Sequence, residues 1–282
     1  MLGALFAPPL FLSYPGYFFV MKIAISGKGG VGKTVLAAFL CKTLSEHGYS
    51  VIAIDADPDS NLAATIGFPH PEEIVPISEM SDLIKERTGA RPGESASLFK
   101  LSPKVDDIPE KYAAEYNGIK LMVMGRIKRG GTGCYCPEGS LLQALLAHLL
   151  IARDEAVILD MEAGVEHLGR GTARAVDKLI VVVEPGRRSL ETALRIGKLA
   201  RDIGLENIAM VGSKIRDKSQ EKLLMSSLPG FEFIGFIPYD KALVDADLAE
   251  LPVLESGPRI AGAVEDIYQA LTHSAKAPTA TN

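Results

Sequence analysis

The sequence predicts an α/β fold, a mainly parallel twisted sheet with helices on both faces. Three observations predict it. Short apolar runs bounded by turn residues recur along the chain, segments of helical period separate most of them, and the first run passes through a glycine-rich loop into a helix. With 282 residues, 47% of them hydrophobic, the chain can bury a full core, and its 27 glycines and 17 prolines are too dispersed for a collagen-like or low-complexity chain. A net charge of −5 argues against non-specific binding to nucleic acid or to an anionic membrane. Three cysteines are too few for a disulfide scaffold and suit a reducing, cytoplasmic setting.

Residues 1–20 are strongly apolar, but they carry no Lys or Arg, and Pro8, Pro9 and Pro15 interrupt the run. Neither a secretory signal nor a membrane helix fits that pattern, so 1–20 is expected to be a dispensable extension before a domain at 21–272. Buried strands are predicted at 22–26, 51–55, 120–124, 156–160, 179–183, 209–212 and 233–236. The first helix, 35–46, places Leu36, Phe39, Leu40 and Leu44 at helical spacing and stops near Gly48. Further helices are predicted at 140–152, at 190–203 before Gly204, and at 260–271. Such βα repeats require right-handed crossovers. Residues 69–118 break the rhythm and are expected to be an insertion on the functional edge, and the small, polar stretch 273–282 to be a disordered tail.

In open α/β sheets ligands bind beyond the carboxyl ends of the strands, so the residues just past each strand matter most. The first strand delivers Gly27, Lys28, Gly29, Gly30, Val31, Gly32, Lys33 and Thr34, a G-x-x-x-x-G-K-[ST] phosphate loop. Its glycines allow backbone N–H groups to turn around phosphate oxygens. The helix start adds a positive dipole end, Lys33 a point charge and Thr34 a hydroxyl ligand for Mg²⁺.

The second strand delivers Asp55 and Asp57 to one side, near that loop, and the fourth ends in Asp160. A carboxylate after four buried apolar residues needs a cation, which Mg²⁺ on the nucleotide and Thr34 supplies. Asp59 and Ser60 read as helix N-caps, Asp106 and Asp107 as a solvated face. Glu162 and Gly164 open the segment placed to act as a switch sensing the γ-phosphate. The guanine-reading string N-K-x-D is missing, since Ser213-Lys214-Ile215-Arg216 ends in Arg, so ATP is the expected nucleotide.

Cys134 and Cys136 flank Tyr135 after a glycine-rich run, and Pro137 suits the first position of a helix. That puts Cys136 at a helix N-terminus, where thiolate is favoured. Two thiolates leave a metal half-coordinated, whereas the pairs of a homodimer give four sulfurs, suited to bridging Zn²⁺ or Ni²⁺ between two chains. Cys41 reads as a small core residue.

The string Lys28-Gly29-Gly30-Val31-Gly32-Lys33-Thr34 resembles the deviant Walker A motif of the MinD, ParA and nitrogenase iron-protein superfamily of P-loop NTPases. The resemblance implies that Lys28 reaches across a nucleotide-sandwiched dimer to the partner's phosphates and acts with Lys33 in catalysis. It further implies that Asp57 orients the attacking water, Asp55 supports the Mg²⁺ shell and Asp160 is the Walker B acid. The superfamily usually carries Asn where Ser213 stands, a departure at the adenine contact, and Pro238 sits where it packs a loop on the base.

Over about residues 22–250 the chain resembles more closely the CooC-type maturation ATPases of carbon monoxide dehydrogenase. The shared strings include Asp55-Ala56-Asp57-Pro58, Cys134-Tyr135-Cys136-Pro137, Asp160-Met161-Glu162-Ala163-Gly164, Glu166-His167-Leu168-Gly169-Arg170-Gly171 and Val183-Glu184-Pro185. That resemblance implies an ATP-hydrolysing metallochaperone that delivers nickel to the enzyme's active-site cluster. A relative maturing acetyl-CoA synthase is the nearest alternative. A MinD- or ParA-like positioning ATPase would want a basic C-terminal helix or DNA face, whereas 260–271 carries Glu265 and Asp266. The nitrogenase iron protein holds its cluster with cysteines far apart in sequence, unlike Cys134 and Cys136.

Overall fold

Strand β1 (Lys22–Gly27) sits inside an eight-stranded sheet because every one of its residues is buried and both edges are paired. The computed structural model describes residues 21–92, 98–125, 136–165, 168–249 and 253–275, so the expectations for 1–20, Cys134, Glu166, His167 and 276–282 lie outside the described residues. After β1 come α1 (Lys33–Glu46), β2 (Val51–Ala56), α2 (Leu62–Ile66), α3 (Ser81–Thr88), α4 (Ile108–Tyr112), β3 (Ala114–Tyr116) and β4 (Ile119–Val123). Then come α5 (Pro137–Ile151), β5 (Ala156–Met161), α6 (Arg170–Ala173), β6 (Lys178–Val183), α7 (Arg187–Asp202), β7 (Ile208–Ile215) and α8 (Lys218–Ser227). The chain closes with β8 (Glu232–Pro238), α9 (Lys241–Leu248), α10 (Val253–Ser256) and α11 (Pro258–Ala275).

The strand order is β3-β4-β2-β5-β1-β6-β7-β8, and every pairing is parallel except β3 with β4. All seven predicted strands are present, with ends shifted by a few residues. Strand β3 was not expected. It is three residues long with mixed polarity, yet Asn117 and Gly118 (φ 48° and 75°) make the two-residue turn that joins it to β4. The sheet separates two cores. On one face Ala24, Ile52, Ile54, Val157 and Leu159 pack under α5 and α7; on the other Ile23, Ile25, Val51, Ala53 and Ile158 pack under α1 and α11. Alternation along the strands therefore sends Ser26 to the α5/α7 side, and Asp55 and Asp160 to the α1 side.

The expected insertion folds onto the β4 edge. Ser78 N donates to Met124 O at 3.1 Å, and a Cβ on Gly125 would come within 2.2 Å of the Ser78 hydroxyl. The insertion therefore packs beneath the start of the segment that leads to the cysteines. Two expectations are corrected here. Asp107 is not a solvated acid, because its two oxygens take a forked pair from Arg87 at 2.8 and 2.9 Å and one from Lys111 at 2.7 Å. Those hydrogen bonds hold its carboxyl well below the usual carboxylate range. The last helix reaches Ala275, so 273–275 of the expected tail are helical. Among the described residues no helix is long and apolar enough to cross a membrane.

Candidate functional site

The β1–α1 loop takes the shape its glycines permit. Gly27 closes on β6 so tightly that a Cβ would stand 2.4 Å from Val182 O, and Gly32 (φ 98°) supplies the left-handed step into α1. Val31 is buried in the α1-side core and anchors the loop, while Gly29 and Gly30 are exposed. Lys33 opens α1 with its side chain 6% exposed, and its Nζ lies 3.8 Å from Asp57 Oδ2. Thr34 stands beside it in the first turn, half-buried. A concave run of backbone at a helix N-terminus with one buried ammonium is a phosphate-binding arrangement.

Below the loop, parallel pairing sets Asp55 directly opposite Asp160. Both are fully buried, but they differ in partners. Asp55 accepts the Leu62 N–H at 3.0 Å and the Asp57 N–H at 3.2 Å, so Asp55 caps α2 and the expected caps Asp59 and Ser60 do not. Strand β2 ends at Ala56, one residue past Asp55, which lets this carboxylate turn along the chain. Neither oxygen of Asp160 finds a hydrogen-bond partner among the described residues. Burial raises the Asp160 carboxyl to about 7; the Thr34 hydroxyl, near it but outside hydrogen-bond geometry, and the Lys33 charge oppose the rise, and the Asp55 charge adds to it. Burial likewise raises Asp55 to about 6 against its two backbone donors. An orphaned, enclosed carboxylate beside a Thr hydroxyl and a phosphate loop fits a divalent cation, which would restore its charge.

Lys28 lies half-exposed on the loop, and its Nζ pairs with Glu184 Oε1 at 3.3 Å. Glu184 comes just after β6, and its other oxygen receives Lys214 Nζ at 3.1 Å. Lys214, just past Ser213 on β7, holds a left-handed backbone (φ 57°) and also donates to Gly30 O. Glu184 thus ties both lysines across the loop within one chain. Ser213 is buried, with its hydroxyl 3.2 Å from where a Cβ on Gly32 would stand, so it supports the loop from beneath. Pro238 ends β8 opposite Ile215, and beside it Arg216 stacks 4.1 Å over the ring of Tyr239.

The switch segment is docked on β1. The Ser26 hydroxyl lies 2.7 Å from Gly164 O and 3.1 Å from Glu162 O, and Gly164 N–H donates back to it at 3.1 Å. Glu162 itself is exposed. At the start of α5, Pro137 is the first helical residue and Cys136 the N-cap, its sulfur accepting the Gly139 N–H at 3.4 Å. Cys41 is buried, as expected of a core residue, and burial pushes its thiol far up.

The structure thus brings together Gly27 to Thr34, Asp55, Asp57, Asp160, Glu162, Gly164 and Ser213. The described residues leave Cys136 at the head of another helix. Sequence reasoning gave no role to Ser26, Glu184 or Lys214. Ser26 was detectable as the one hydroxyl in an apolar strand, and Glu184 as the acid after β6, the strand next to β1.

Comparison with known proteins bears directly on this arrangement. Residues 22–253 match the model of the CobQ/CobB/MinD/ParA nucleotide binding domain. The chain is 46% identical over 240 residues to the carbon monoxide dehydrogenase accessory protein CooC of Rhodospirillum rubrum, covering 84% of this chain and 91% of that protein. It is also 46% identical over 235 residues to an ATP-binding protein of Methanocaldococcus jannaschii, covering 83% of this chain and 91% of that one. Among solved structures, MinD with Mg-ADP from Pyrococcus horikoshii superposes with a TM-score of 0.62 at 17% identity, covering 92% of this chain and 98% of that one. MinD in the MinC:MinD complex of Aquifex aeolicus gives 0.64 at 20% identity, covering 93% and 99%. These two likenesses establish the fold.

Proposed function

The chain belongs to the CobQ/CobB/MinD/ParA nucleotide-binding domain family, and from that premise we propose that it is an ATPase that matures carbon monoxide dehydrogenase by delivering nickel. One observation carries the reading: a phosphate loop with an orphaned acid beneath it shares a chain with a cysteine-capped helix, in a relative of CooC. The N–H groups of Gly27, Gly29, Gly30, Val31 and Gly32 surround the phosphates, and Lys33 neutralises them. Thr34 and Asp160 would hold Mg²⁺, with Asp55 supporting its shell, and the ion bound there would supply positive charge to the phosphates. Asp57, released from Lys33 once phosphate takes that lysine, orients the attacking water. Ser213 and Pro238 border the adenine.

Two copies close face to face over the nucleotides. Lys28 leaves Glu184 and reaches the partner's phosphates, adding charge where it develops in the transition state. Closure brings Cys134 and Cys136 of both chains together, giving four sulfurs for Ni²⁺ or Zn²⁺ as cargo. Glu162 and Gly164 relax on hydrolysis, the dimer opens, and the metal passes to the apo-enzyme. The acidic balance of the chain suits a protein that acts without nucleic acid or membrane, and its three cysteines suit the cytoplasm.

The test is metal analysis and sizing of the purified protein with and without a non-hydrolysable ATP analogue. The expected result is one metal per two chains in a nucleotide-stabilised dimer. A monomer under every nucleotide condition, or a protein that takes up no thiol-bound metal, rejects the reading.

A further inference from the structure

Ser26 is fully buried at the end of the apolar run Ile23 to Ile25, just before the first loop glycine, and a buried hydroxyl must find partners. Among the described residues, every hydrogen bond its side chain makes goes to one segment, the turn after β5: Gly164 O at 2.7 Å, Glu162 O at 3.1 Å and the N–H of Gly164 at 3.1 Å. A hydroxyl has a single proton. It can donate to only one of the two carbonyls at a time, and the shorter contact selects Gly164 O. The second carbonyl stays within reach, so the donor can change acceptor without moving its own backbone. The Gly164 N–H is occupied as well, shared between Ser26 Oγ and Glu162 O at 2.7 Å. In this arrangement that N–H is turned to the protein.

The position of Ser26 is as telling as its contacts. It is the last residue before Gly27, and Gly27 is locked against Val182 O, so Ser26 and the phosphate loop move as one piece. The turn it holds begins two residues after Asp160, the orphaned acid beneath that loop. A group fixed to the phosphate side therefore grips the segment that must respond to the terminal phosphate.

We propose that Ser26 is a positioning residue, a pivot that docks the 162–165 turn when no γ-phosphate is present and lets it rearrange when one binds. On ATP binding the Gly164 peptide turns its N–H toward the terminal phosphate, and the Ser26 proton passes from Gly164 O to Glu162 O. One hydrogen bond is kept throughout, which keeps the two arrangements close in free energy. The inference rests on the ATPase reading above and names the part that connects its phosphate site to its switch.

The experiment compares wild type, Ser26→Ala and Ser26→Thr in steady-state ATP hydrolysis, ADP affinity and thermal midpoint, with hydrogen exchange at the Gly164 amide. In Ser26→Ala the turn loses the anchor at Glu162 O that holds it while the γ-phosphate is bound, so kcat falls about tenfold, while KM and ADP affinity stay within about twofold. Ser26→Thr keeps the hydroxyl and restores most of kcat. Exchange at Gly164 in nucleotide-free protein speeds up in Ser26→Ala and stays slow in Ser26→Thr. An unchanged kcat in Ser26→Ala overturns the pivot. So does a parallel loss of kcat, KM, ADP affinity and thermal midpoint, which marks a residue that only supports the fold. If wild type turns over no ATP, the ATPase reading fails instead. The exchange comparison then decides the pivot alone, and equal Gly164 exchange in wild type and Ser26→Ala rejects it.

Discussion

The phosphate loop and the cysteine segment stand at the heads of two helices, α1 and α5, and both use the free N–H groups of a helix start. They differ in completeness. The loop draws its backbone from eight contiguous residues, Lys33 from its own helix, and Asp55 and Asp160 from two adjacent strands. Cys136 contributes one sulfur at an N-cap, and Cys134 brings the chain's pair to two. A tetrahedral or square-planar thiolate site needs four. A nucleotide cradle can therefore be finished within one chain, whereas the proposed metal site would need a second copy.

The largest expected effect tests the self-contained site. Lys33→Ala removes the buried cation and leaves Asp57 without its partner. ATP affinity by calorimetry should fall at least about a hundredfold, and hydrolysis should become undetectable. Retained turnover would break the comparison at its first half. The next tests the incomplete site. Cys136→Ser should abolish stoichiometric metal in elemental analysis while ADP affinity stays within about twofold, and Cys134→Ser should do the same. If nucleotide affinity collapses with the thiol, the two regions are not separate and Cys136 serves as a structural cap.

A smaller effect sharpens the electrostatics of the cradle. The folded pKa of Asp160, about 7, lies above its unfolded value of 3.8, so the folded state binds this proton first. Stability of the nucleotide-free chain is then gained as pH falls through 7 and lost as pH rises. From pH 6 to pH 8 the loss is about 1 kcal/mol, or roughly 2–4 °C in the calorimetric midpoint. Asp160→Asn should flatten that slope, leaving the weaker contribution of Asp55. An unchanged slope would assign the pH dependence elsewhere. The smallest effect concerns Lys28. Its pair with Glu184 is partly exposed and contributes under about 1 kcal/mol, so Glu184→Gln should strengthen nucleotide-dependent dimerisation only a fewfold in sedimentation. Weaker association would mean that Glu184 supports the closed dimer and does not restrain Lys28.

Much of the site was legible because its residues are neighbours in sequence. The loop glycines, Lys33, Thr34 and the Pro137 helix start are fixed by local backbone chemistry, and period-two alternation put Asp55 near the phosphate loop. The limit of that reasoning appears at Asp55, where sequence foresaw a place near the phosphate loop but not the capping of α2. It appears again at Asp107, whose partner Arg87 lies 20 residues away.

By itself the sequence determined the alternation of strands and helices, the phosphate loop and the family, since each is written in short-range order. Only the tertiary structure decided that β5 and β6 flank β1. That order puts Ser26 against Gly164 across 138 residues and Lys28 against Glu184 across 156. Such pairings depend on which strands exchange hydrogen bonds, and strand order comes from how the helices cover both faces of the sheet. No local pattern encodes it.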